Sequence, residues 1–223
     1  MTTPPPGDGR RPGQRDYSRV QLDDAQIASG RYKDFLGGKA AGWDARGAFQ
    51  PALLQHLGLR RDDALLDIGC GPIRGGVHFI RFLDAGRYTG VDFNPSFVTA
   101  AQRLVAADPA LSAREPRIAL LPDFEFATLG RRFDRLLCFS VLNHCDERAR
   151  DRFFARVPDA MHAGSRLLVT HAAWLDEGRP AALALRVTRR IDAEAQLPPA
   201  LAFSAWGFDG VRDRLPMLEF ALA

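Results

Sequence analysis

The chain has 223 residues, of which 46% are hydrophobic and 26% charged, and its formal net charge at pH 7 is +3. These proportions fit a globular protein of one or two domains and exclude fibrous and wholly disordered classes. No apolar run reaches the roughly 18 residues that span a bilayer, so we expect no membrane partner. Three cysteines, at positions 70, 138 and 145, are too few for a disulfide framework and form no CxxC metal pattern. They indicate a reduced, cytoplasmic setting.

The basic residues do not predict a nucleic-acid partner. The 30 Lys and Arg residues are interleaved with 27 Asp and Glu residues along the chain. The densest basic group, Arg186, Arg189 and Arg190, is typical of a solvated face rather than of a phosphate-binding surface. We therefore expect neither DNA nor RNA as a partner, and the composition leaves the oligomeric state open.

The first 58 residues divide into a tail and a helical segment. Residues 1–15 are rich in proline, glycine and arginine. They cannot bury enough apolar surface to offset their ordering entropy, which predicts a disordered tail, and they lack the apolar core of a secretory signal. Residues 16–58 form an N-terminal helical segment, in which Gly58 ends a helix that we expect to begin near Pro51.

From about residue 60, short apolar runs alternate with segments of helical spacing. The runs predict buried strands at 64–68, 88–91, 118–121, 133–141 and 166–170. Three apolar stripes predict helices between them, with starts marked by Pro95 and Asp146: Val77, Ile80 and Leu83; Phe97, Ala101, Leu104 and Val105; Phe153, Val157 and Met161. The alternation predicts a doubly wound α/β fold, with a mostly parallel sheet and helices on both faces.

The pattern weakens after residue 170. Residues 215–222 are apolar enough for an antiparallel last strand, and Pro216 confines its pairing to the residues that follow. Residues 179–210 stay ambiguous between strand and helix.

A glycine-rich turn follows the first predicted strand. The sequence from residue 65 to residue 76 is Leu-Leu-Asp-Ile-Gly-Cys-Gly-Pro-Ile-Arg-Gly-Gly. Glycines allow a tight turn and let a ligand approach the backbone. Asp92 ends the second strand about 20 residues later, where dinucleotide-type folds place the acid that binds ribose hydroxyls. The alternative for Asp92 is a capping residue before the helix at Pro95.

At this point the sequence resembles the class I S-adenosylmethionine-dependent methyltransferases over about residues 35–172. The resemblance is carried by Leu-Leu-Asp-Ile-Gly-Cys-Gly at 65–71, Val-Asp at 91–92, Pro-Asp-Phe at 122–124 and Phe-Asp-Arg-Leu-Leu-Cys-Phe-Ser-Val-Leu-Asn-His at 133–144. It implies a Rossmann-like methyltransferase domain at 59–223 with S-adenosylmethionine as cofactor. An NAD-dependent oxidoreductase fits less well, because its pattern is GxGxxG and this turn reads GxGxxxGG.

The resemblance also implies roles for the motif residues. Asp67, Gly69, Cys70 and Gly71 would line the methionine end of the cofactor, and Asp92 would hold the ribose. Phe93, Asp123 and Phe124 would surround the adenine, and Ser140 would lie under the cofactor. The family often has a third glycine where this chain has Ile73, so Arg74-Gly75-Gly76 is a replacement of uncertain role.

Candidate substrate-pocket residues precede the first strand. In methyltransferases that this chain resembles, an N-terminal helical segment often closes over the cofactor, so residues 16–58 are interpreted as a lid. Trp43 and Phe49 would then wall the substrate pocket. The alternative is that both side chains only pack the lid onto the sheet.

His144 and His171 are the candidate catalytic residues. Each follows a predicted parallel strand at its carboxyl end, where open α/β sheets bind ligands. A histidine there can accept a proton from a methyl acceptor near neutral pH, or it can merely hydrogen-bond a loop. Adjacent His144, Cys145 and Asp146 have poor geometry for one metal ion, so no metal is expected.

The expected function is transfer of a methyl group from S-adenosylmethionine to an oxygen or nitrogen atom of a small molecule. The chain shows no clustered basic or aromatic surface for nucleic acid, which favours a small acceptor. The alternative is a methyltransferase-like protein that binds the nucleoside cofactor without methyl transfer, as a non-methylating enzyme or a partner subunit.

Overall fold

The computed structural model describes residues 16–34, 36, 42–170, 184–191, 198, 201 and 217–223. The predicted tail at 1–15 and the predicted catalytic residue His171 lie outside these ranges. Within them, no helix is both long enough and apolar enough to cross a membrane.

In the described part of the chain, seven strands form one sheet in the order β3-β2-β1-β4-β5-β7-β6. The first five strands are parallel, and β7 runs antiparallel between β5 and β6. The bounds are β1 Leu65–Ile68, β2 Tyr88–Asp92, β3 Arg117–Leu120, β4 Phe133–Cys138, β5 Met161–Val169, β6 Leu185–Ile191 and β7 Met217–Leu222. This confirms the predicted doubly wound sheet with an antiparallel last strand, and it assigns β6 within the segment that the sequence left ambiguous.

Six α-helices accompany the sheet among the residues that the structure describes. Their bounds are α1 Asp24–Ser29, α2 Trp43–His56, α3 Gly76–Phe82, α4 Pro95–Ala107, α5 Pro109–Ser112 and α6 Glu147–Arg156. One buried cluster joins α2, α3 and α5 to one face of the sheet, and a second joins α6 to the other face. Alternation along β1 explains the division, because Leu65 belongs to the first cluster and Leu66 to the second.

Two predicted helix starts are confirmed. Asn94 caps α4 by accepting a hydrogen bond from the Ser96 amide (2.9 Å), with Pro95 as the first helical residue. The Asp146 carboxylate caps α6 by accepting from the Ala149 amide (2.7 Å).

Two helix predictions were wrong. Pro51 lies inside α2, which begins at Trp43. Proline has no amide to donate to the carbonyl four residues earlier, that of Gly47, so this hydrogen bond of the helix is missing. Met161 begins β5 rather than continuing the helical stripe, because Pro158 interrupts the helix and a 3-10 turn replaces it.

The N-terminal segment packs in two places, which are joined by the contact between Trp43 and Tyr32. In α2, Leu53, Leu54 and Phe49 join the first cluster, and a side chain at Gly47 would collide with the Arg74 carbonyl. Residues 16–34 belong to a third cluster, which includes Phe97 and Ala100 of α4. The segment interpreted as a lid therefore consists of one part fixed to the glycine-rich turn and another resting on α4.

Candidate functional site

The carboxyl ends of β1 and β4 meet at the centre of the sheet, where the strand order reverses. In open α/β sheets this switch point is where ligands bind. The chain returns from β3 to β4 there, so the loops after β1, β2 and β4 lie side by side. Most of the predicted site residues lie on these loops.

The glycine-rich turn leaves open space beside its backbone. Gly69 and Gly71 have φ of +72° and +54°, a conformation that favours glycine. A side chain at Gly69 would collide with Val141, whereas one at Gly71 would have no neighbour within 4 Å. A ligand can therefore approach the backbone at Gly71.

Asp92 links the turn to the loop after β2. Its carboxylate accepts hydrogen bonds from the Gly71 amide (2.9 Å) and the Asn94 amide (2.9 Å), one on each oxygen. The side chain is buried, with Asp92 only 6% exposed. Burial raises the pKa of Asp92 to about 6, although these backbone amides favour the charged form. Each oxygen retains an acceptor position for a further donor.

Asp67 is buried at the end of β1 and accepts a hydrogen bond from the Tyr88 hydroxyl (2.8 Å). Burial raises the pKa of Asp67 to about 7, and the nearby Asp92 charge raises it further, whereas the Tyr88 bond lowers it. Tyr88 reaches Asp67 because Gly76 and Gly90 carry no side chains; a Cβ at either position would crowd the Tyr88 hydroxyl.

Cys70 is buried in the glycine-rich turn, and its predicted place in the cofactor site stays a prediction. Its side chain is buried, and burial together with Asp67 and Asp92 raises the pKa of its thiol well above the ordinary value. A thiol in such surroundings is unreactive. Within the described part of the chain, no group of three or more His, Cys, Asp or Glu side chains is arranged to hold a metal ion.

Backbone strain is concentrated around the switch point. Of the residues described, five other than glycine have positive φ, and four of them lie in loops at the carboxyl ends of strands. These four are Ile73 (+48°), Asp123 (+50°), Phe124 (+57°) and Ser140 (+56°). Such conformations cost on the order of 1–3 kcal/mol each and cluster at functional sites. Ile73, where the related family often has a glycine, has a φ in the region that favours glycine.

The predicted adenine-binding residues have different surroundings. Phe93 is 46% exposed beside Asp92. The Phe124 ring packs edge-on against Phe153 at 5.3 Å, and the Asp123 carboxylate lies 3.7 Å from the Arg152 guanidinium. Phe93 is therefore available to a ligand, whereas Asp123 and Phe124 contact the α6 side of the loop; the roles of all three remain predictions.

His144 lies in a 3-10 turn after β4 and contacts the N-terminal segment. Its ring packs edge-on against the Tyr17 ring, with centroids 4.7 Å apart. Asn94 holds this segment in place, because its side-chain amide donates to the carbonyls of Tyr17 (2.9 Å) and Val20 (2.7 Å). Strand β5 ends beside β4, with Val169 paired to Cys138.

Ser140 and the predicted substrate-pocket residues are held by protein contacts. The Ser140 amide donates to the Thr170 hydroxyl (2.8 Å), which joins the loops after β4 and β5. Trp43 is buried against Tyr32, with ring centroids 5.7 Å apart. Phe49 is fully buried and packs against Phe139. The structure places Phe49 in the core, and a role for Trp43 or Phe49 in substrate binding stays a prediction.

Sequence reasoning missed Tyr17, Tyr88 and Asn94 as residues of this site. Tyr88 stands two residues before Gly90 on the same face of β2, which is a detectable signal once the strand is assigned. Asn94 was detectable as the helix cap before Pro95, but its bonds to Tyr17 and Val20 join residues more than 70 positions apart. No local pattern indicates such contacts.

Comparison with known proteins bears on this arrangement. Residues 66–167 match the family model described as a methyltransferase domain. Among similar solved structures, a glycopeptide N-methyltransferase complexed with S-adenosyl-L-methionine has 17% identity over 79% of this chain and 94% of its own, with a TM-score of 0.56.

Two further structures cover more of the chain. An S-adenosylmethionine-dependent methyltransferase from Clostridium acetobutylicum has 11% identity over 90% of this chain and 100% of its own, with a TM-score of 0.56. Magnesium protoporphyrin IX methyltransferase from Synechocystis PCC 6803 has 16% identity over 92% of this chain and 99% of its own, with a TM-score of 0.53. Identities this low establish a shared fold.

Proposed function

Because this chain belongs to the class I, Rossmann-like S-adenosylmethionine-dependent methyltransferases, we propose that it moves the methyl group of S-adenosylmethionine to an oxygen or nitrogen atom of a small-molecule acceptor. When bound, S-adenosylmethionine supplies a methyl group already activated by its sulfonium. The protein contributes binding, orientation and, where the acceptor arrives protonated, a proton acceptor.

The residues at the switch point fit this cofactor. The open space beside Gly71 can admit a ligand against the backbone. Asp92 retains one acceptor position on each oxygen, which suits the two hydroxyls of a ribose. The exposed Phe93 ring next to it offers a flat apolar surface for adenine. Asp67 would face the methionine end, and Ser140 would lie beneath the cofactor.

The observation that carries the proposal is the geometry of Asp92. A buried carboxylate held by two backbone amides is fixed in position, and its raised pKa reflects the free energy that burial costs the charged form. Two hydroxyl donors would lower that cost.

A small-molecule acceptor is supported by two features. The basic residues show no cluster of the kind that binds nucleic acid. Similar structures include enzymes named for a glycopeptide and for magnesium protoporphyrin IX, so the fold accommodates acceptors of this kind. His144 or His171 would take the proton from the acceptor as the methyl group moves.

Titration of S-adenosylmethionine into the protein tests the cofactor site. We expect Asp92→Ala to weaken binding by about tenfold to a hundredfold, because hydrogen bonds to a charged group contribute roughly 1.5–3 kcal/mol. Asp63→Ala is the matched control: Asp63 is also a buried carboxylate that accepts a backbone amide (Arg60, 2.9 Å), but at the amino end of β1. Equal affinities of wild type and Asp92→Ala would contradict the assignment.

Turnover with a panel of hydroxyl and amine acceptors tests methyl transfer itself. Formation of S-adenosylhomocysteine that depends on an added small molecule is the expected result. Cofactor binding without turnover on any acceptor class would favour the non-methylating alternative.

A further inference from the structure

Three loops at the amino end of the sheet, opposite the candidate site, bring five arginines together. These loops precede β2, β3 and β4, and hydrogen bonds join each of them to the other two. The Gly86 amide donates to the Arg114 carbonyl (2.8 Å), and the Arg131 guanidinium donates to the Gly86 carbonyl (3.4 Å). The Arg117 guanidinium donates to the Leu129 carbonyl (2.9 Å). The resulting arginine cluster consists of Arg87, Arg114, Arg117, Arg131 and Arg132.

The arginine cluster carries positive charge that no carboxylate neutralises at close range. Among the described residues, none of its guanidinium groups lies within 4.0 Å of a carboxylate oxygen. At the same end of the sheet, Asp62 is paired with Arg60 (2.9 Å) and Asp84 with Arg61 (3.5 Å). Together with Glu115, which lies within one of the loops, the cluster has a formal charge of +4, whereas the whole chain carries +3. Like charges gathered in this way repel, and an anion bound across them would relieve the repulsion.

The guanidinium groups are fixed in place and retain donors for a partner. Arg131 lies over the Phe133 ring, 5.1 Å from its centre, in addition to its backbone bond. A guanidinium has five N–H donors, and a single bond to a carbonyl uses one of them. Arg87, Arg117 and Arg132 are exposed. Fixed guanidinium groups with free donors suit carboxylates that are also held in a defined arrangement, because paired hydrogen bonds require a defined orientation.

We propose that the arginine cluster is the docking surface for an acidic segment of a partner protein, whose carboxylates pair with the guanidinium groups. This inference goes beyond the proposed function and does not rest on it. At about 3.3 Å per residue, the length of β2 places Arg87 about 16 Å from Asp92. A partner bound to the cluster would therefore leave the candidate site open.

The surroundings of the cluster favour a protein over a nucleic acid or a membrane. In the described part of the chain, the large apolar side chains that are exposed are those of Phe93, Leu120 and Val187. The first two lie at the carboxyl ends of β2 and β3, and Val187 lies on β6 at the opposite edge of the sheet from β3. The cluster thus has no exposed aromatic ring among these residues on which bases could stack, and no apolar side chain to insert among lipids.

Fluorescence anisotropy with a labelled peptide of glutamate and alanine tests the proposal. Wild type should bind the peptide, with an affinity that falls as the ionic strength rises, and should not bind the same peptide with glutamine in place of glutamate. The double variant Arg87→Gln/Arg132→Gln removes two exposed guanidinium groups, so we expect its affinity to fall by about tenfold.

The double variant Arg186→Gln/Arg189→Gln is the matched control. It removes the same charge from exposed positions on β6, outside the cluster. Its affinity for the peptide should change by less than about twofold, since only the screened long-range charge differs. Both double variants should bind S-adenosylmethionine as wild type does. If the cluster variant melts early, Arg87→Lys/Arg132→Lys keeps the charge without the paired donors and should show a smaller loss of peptide affinity.

Equal losses of peptide affinity in the two double variants would overturn the proposal, because binding would then follow net charge alone. Failure of wild type to bind the peptide would also overturn it. Tighter binding of an oligothymidine of the same charge, lost in the cluster variant, would assign the cluster to single-stranded nucleic acid instead. Binding to phosphatidylcholine vesicles that contain phosphatidylserine, without binding to the peptide, would assign it to a membrane surface.

Discussion

The two ends of the central sheet hold carboxylates in different ways. At the amino end, Asp63 lies 3.3 Å from the Arg135 guanidinium, and Asp134 accepts from the Ala64 amide (2.7 Å) and contacts His162 (3.0 Å). At the carboxyl end, Asp67 and Asp92 accept bonds from the Tyr88 hydroxyl and from backbone amides, and burial raises both pKa values.

This difference indicates that the carboxylates at the amino end stabilise the fold, whereas those at the carboxyl end are arranged to bind a ligand. The carboxylates at the amino end are paired and join β1 to β4, so they have few acceptor positions left for a ligand. Carboxylates at the carboxyl end are buried at a cost, as are the positive φ angles of Ile73 and Ser140 in the same region. Groups arranged at such a cost are typical of functional sites. We therefore expect substitutions at the carboxyl end to lower activity and substitutions at the amino end to lower stability.

Histidine substitutions should give the largest difference in kcat between the two ends of the sheet. We expect His144→Ala to lower kcat by about 10²–10⁴-fold with cofactor affinity nearly intact, because general base assistance has about that value. His162→Ala, which removes the Asp134 contact at the amino end, should leave kcat close to wild type. Steady-state kinetics on the acceptor checks both.

His171 is the second candidate and is measured in the same way. If His144→Ala and His171→Ala each retain at least about half of the wild-type kcat, neither histidine is the base. Catalysis would then depend on positioning alone.

Removal of Asp134 should affect stability alone. The variant Asp134→Ala leaves the buried Ala64 amide without its acceptor, so we expect a loss of about 1.5–3 kcal/mol in the free energy of unfolding. Urea denaturation measures the loss, and titration of S-adenosylmethionine should return the wild-type affinity. A loss of affinity comparable to that of Asp92→Ala would contradict the division between the two ends.

Asp67→Asn should stabilise the protein in a pH-dependent manner. Because the folded-state pKa of Asp67 is raised from 3.8 to about 7, ionising it costs stability above pH 7, and this cost vanishes below about pH 4. Asparagine removes the charge and can still accept the Tyr88 bond. We expect the variant to be about 1–2 kcal/mol more stable than wild type at pH 8 and equally stable near pH 4. The gain at pH 8 is smaller than the full shift of the Asp67 pKa implies.

Melting temperatures of the ligand-free proteins across pH 4–8 check this expectation. A constant difference across that range would show that the Asp67 charge is not the cause. Cofactor affinity of Asp67→Asn should fall in the same preparation, since stabilising a functional position often costs activity.

Shortening the chain at its N-terminus should have the smallest effect. From their composition, residues 1–15 offer little to bury, so a chain beginning near Tyr17 should melt within about 1 °C of full length. A drop of several degrees would show that these residues dock on the domain. A chain beginning at Asp24 loses Tyr17, Val20 and Leu22 from the third cluster, and its melting temperature should fall measurably.

The sequence predicted those features that depend on neighbouring residues. The glycine-rich turn, Asp92 at the end of β2 and the helix start at Pro95 each follow from a short stretch of chain. Strand β5 shows the limit, because it begins at Met161, five residues before the predicted start. Its first half contains His162 and Gly164, which interrupt the apolar run that would have indicated a strand.

Features of the site that join distant segments could not be predicted. Neither the position of Tyr17 against His144 nor that of Arg74 over Trp43 follows from a local pattern, since each depends on how the N-terminal segment crosses the sheet. Strand β6 became assignable only through its pairing with β7. These are tertiary contacts, and they override weak local preference.

The tight contact between α2 and the glycine-rich turn limits how this molecule can open. A side chain at Gly47 would strike the Arg74 carbonyl, and one at Gly75 would strike the Gln50 amide group, so the two backbones cannot slide past each other while they touch. We therefore expect α2 to move with the sheet as one rigid body. Residues 16–34 rest on α4 through Asn94 and the third cluster, to which α2 contributes Trp43, and we expect them to be the part that lifts separately. Any route by which ligands exchange with solvent would then run beneath Tyr17 rather than beneath α2.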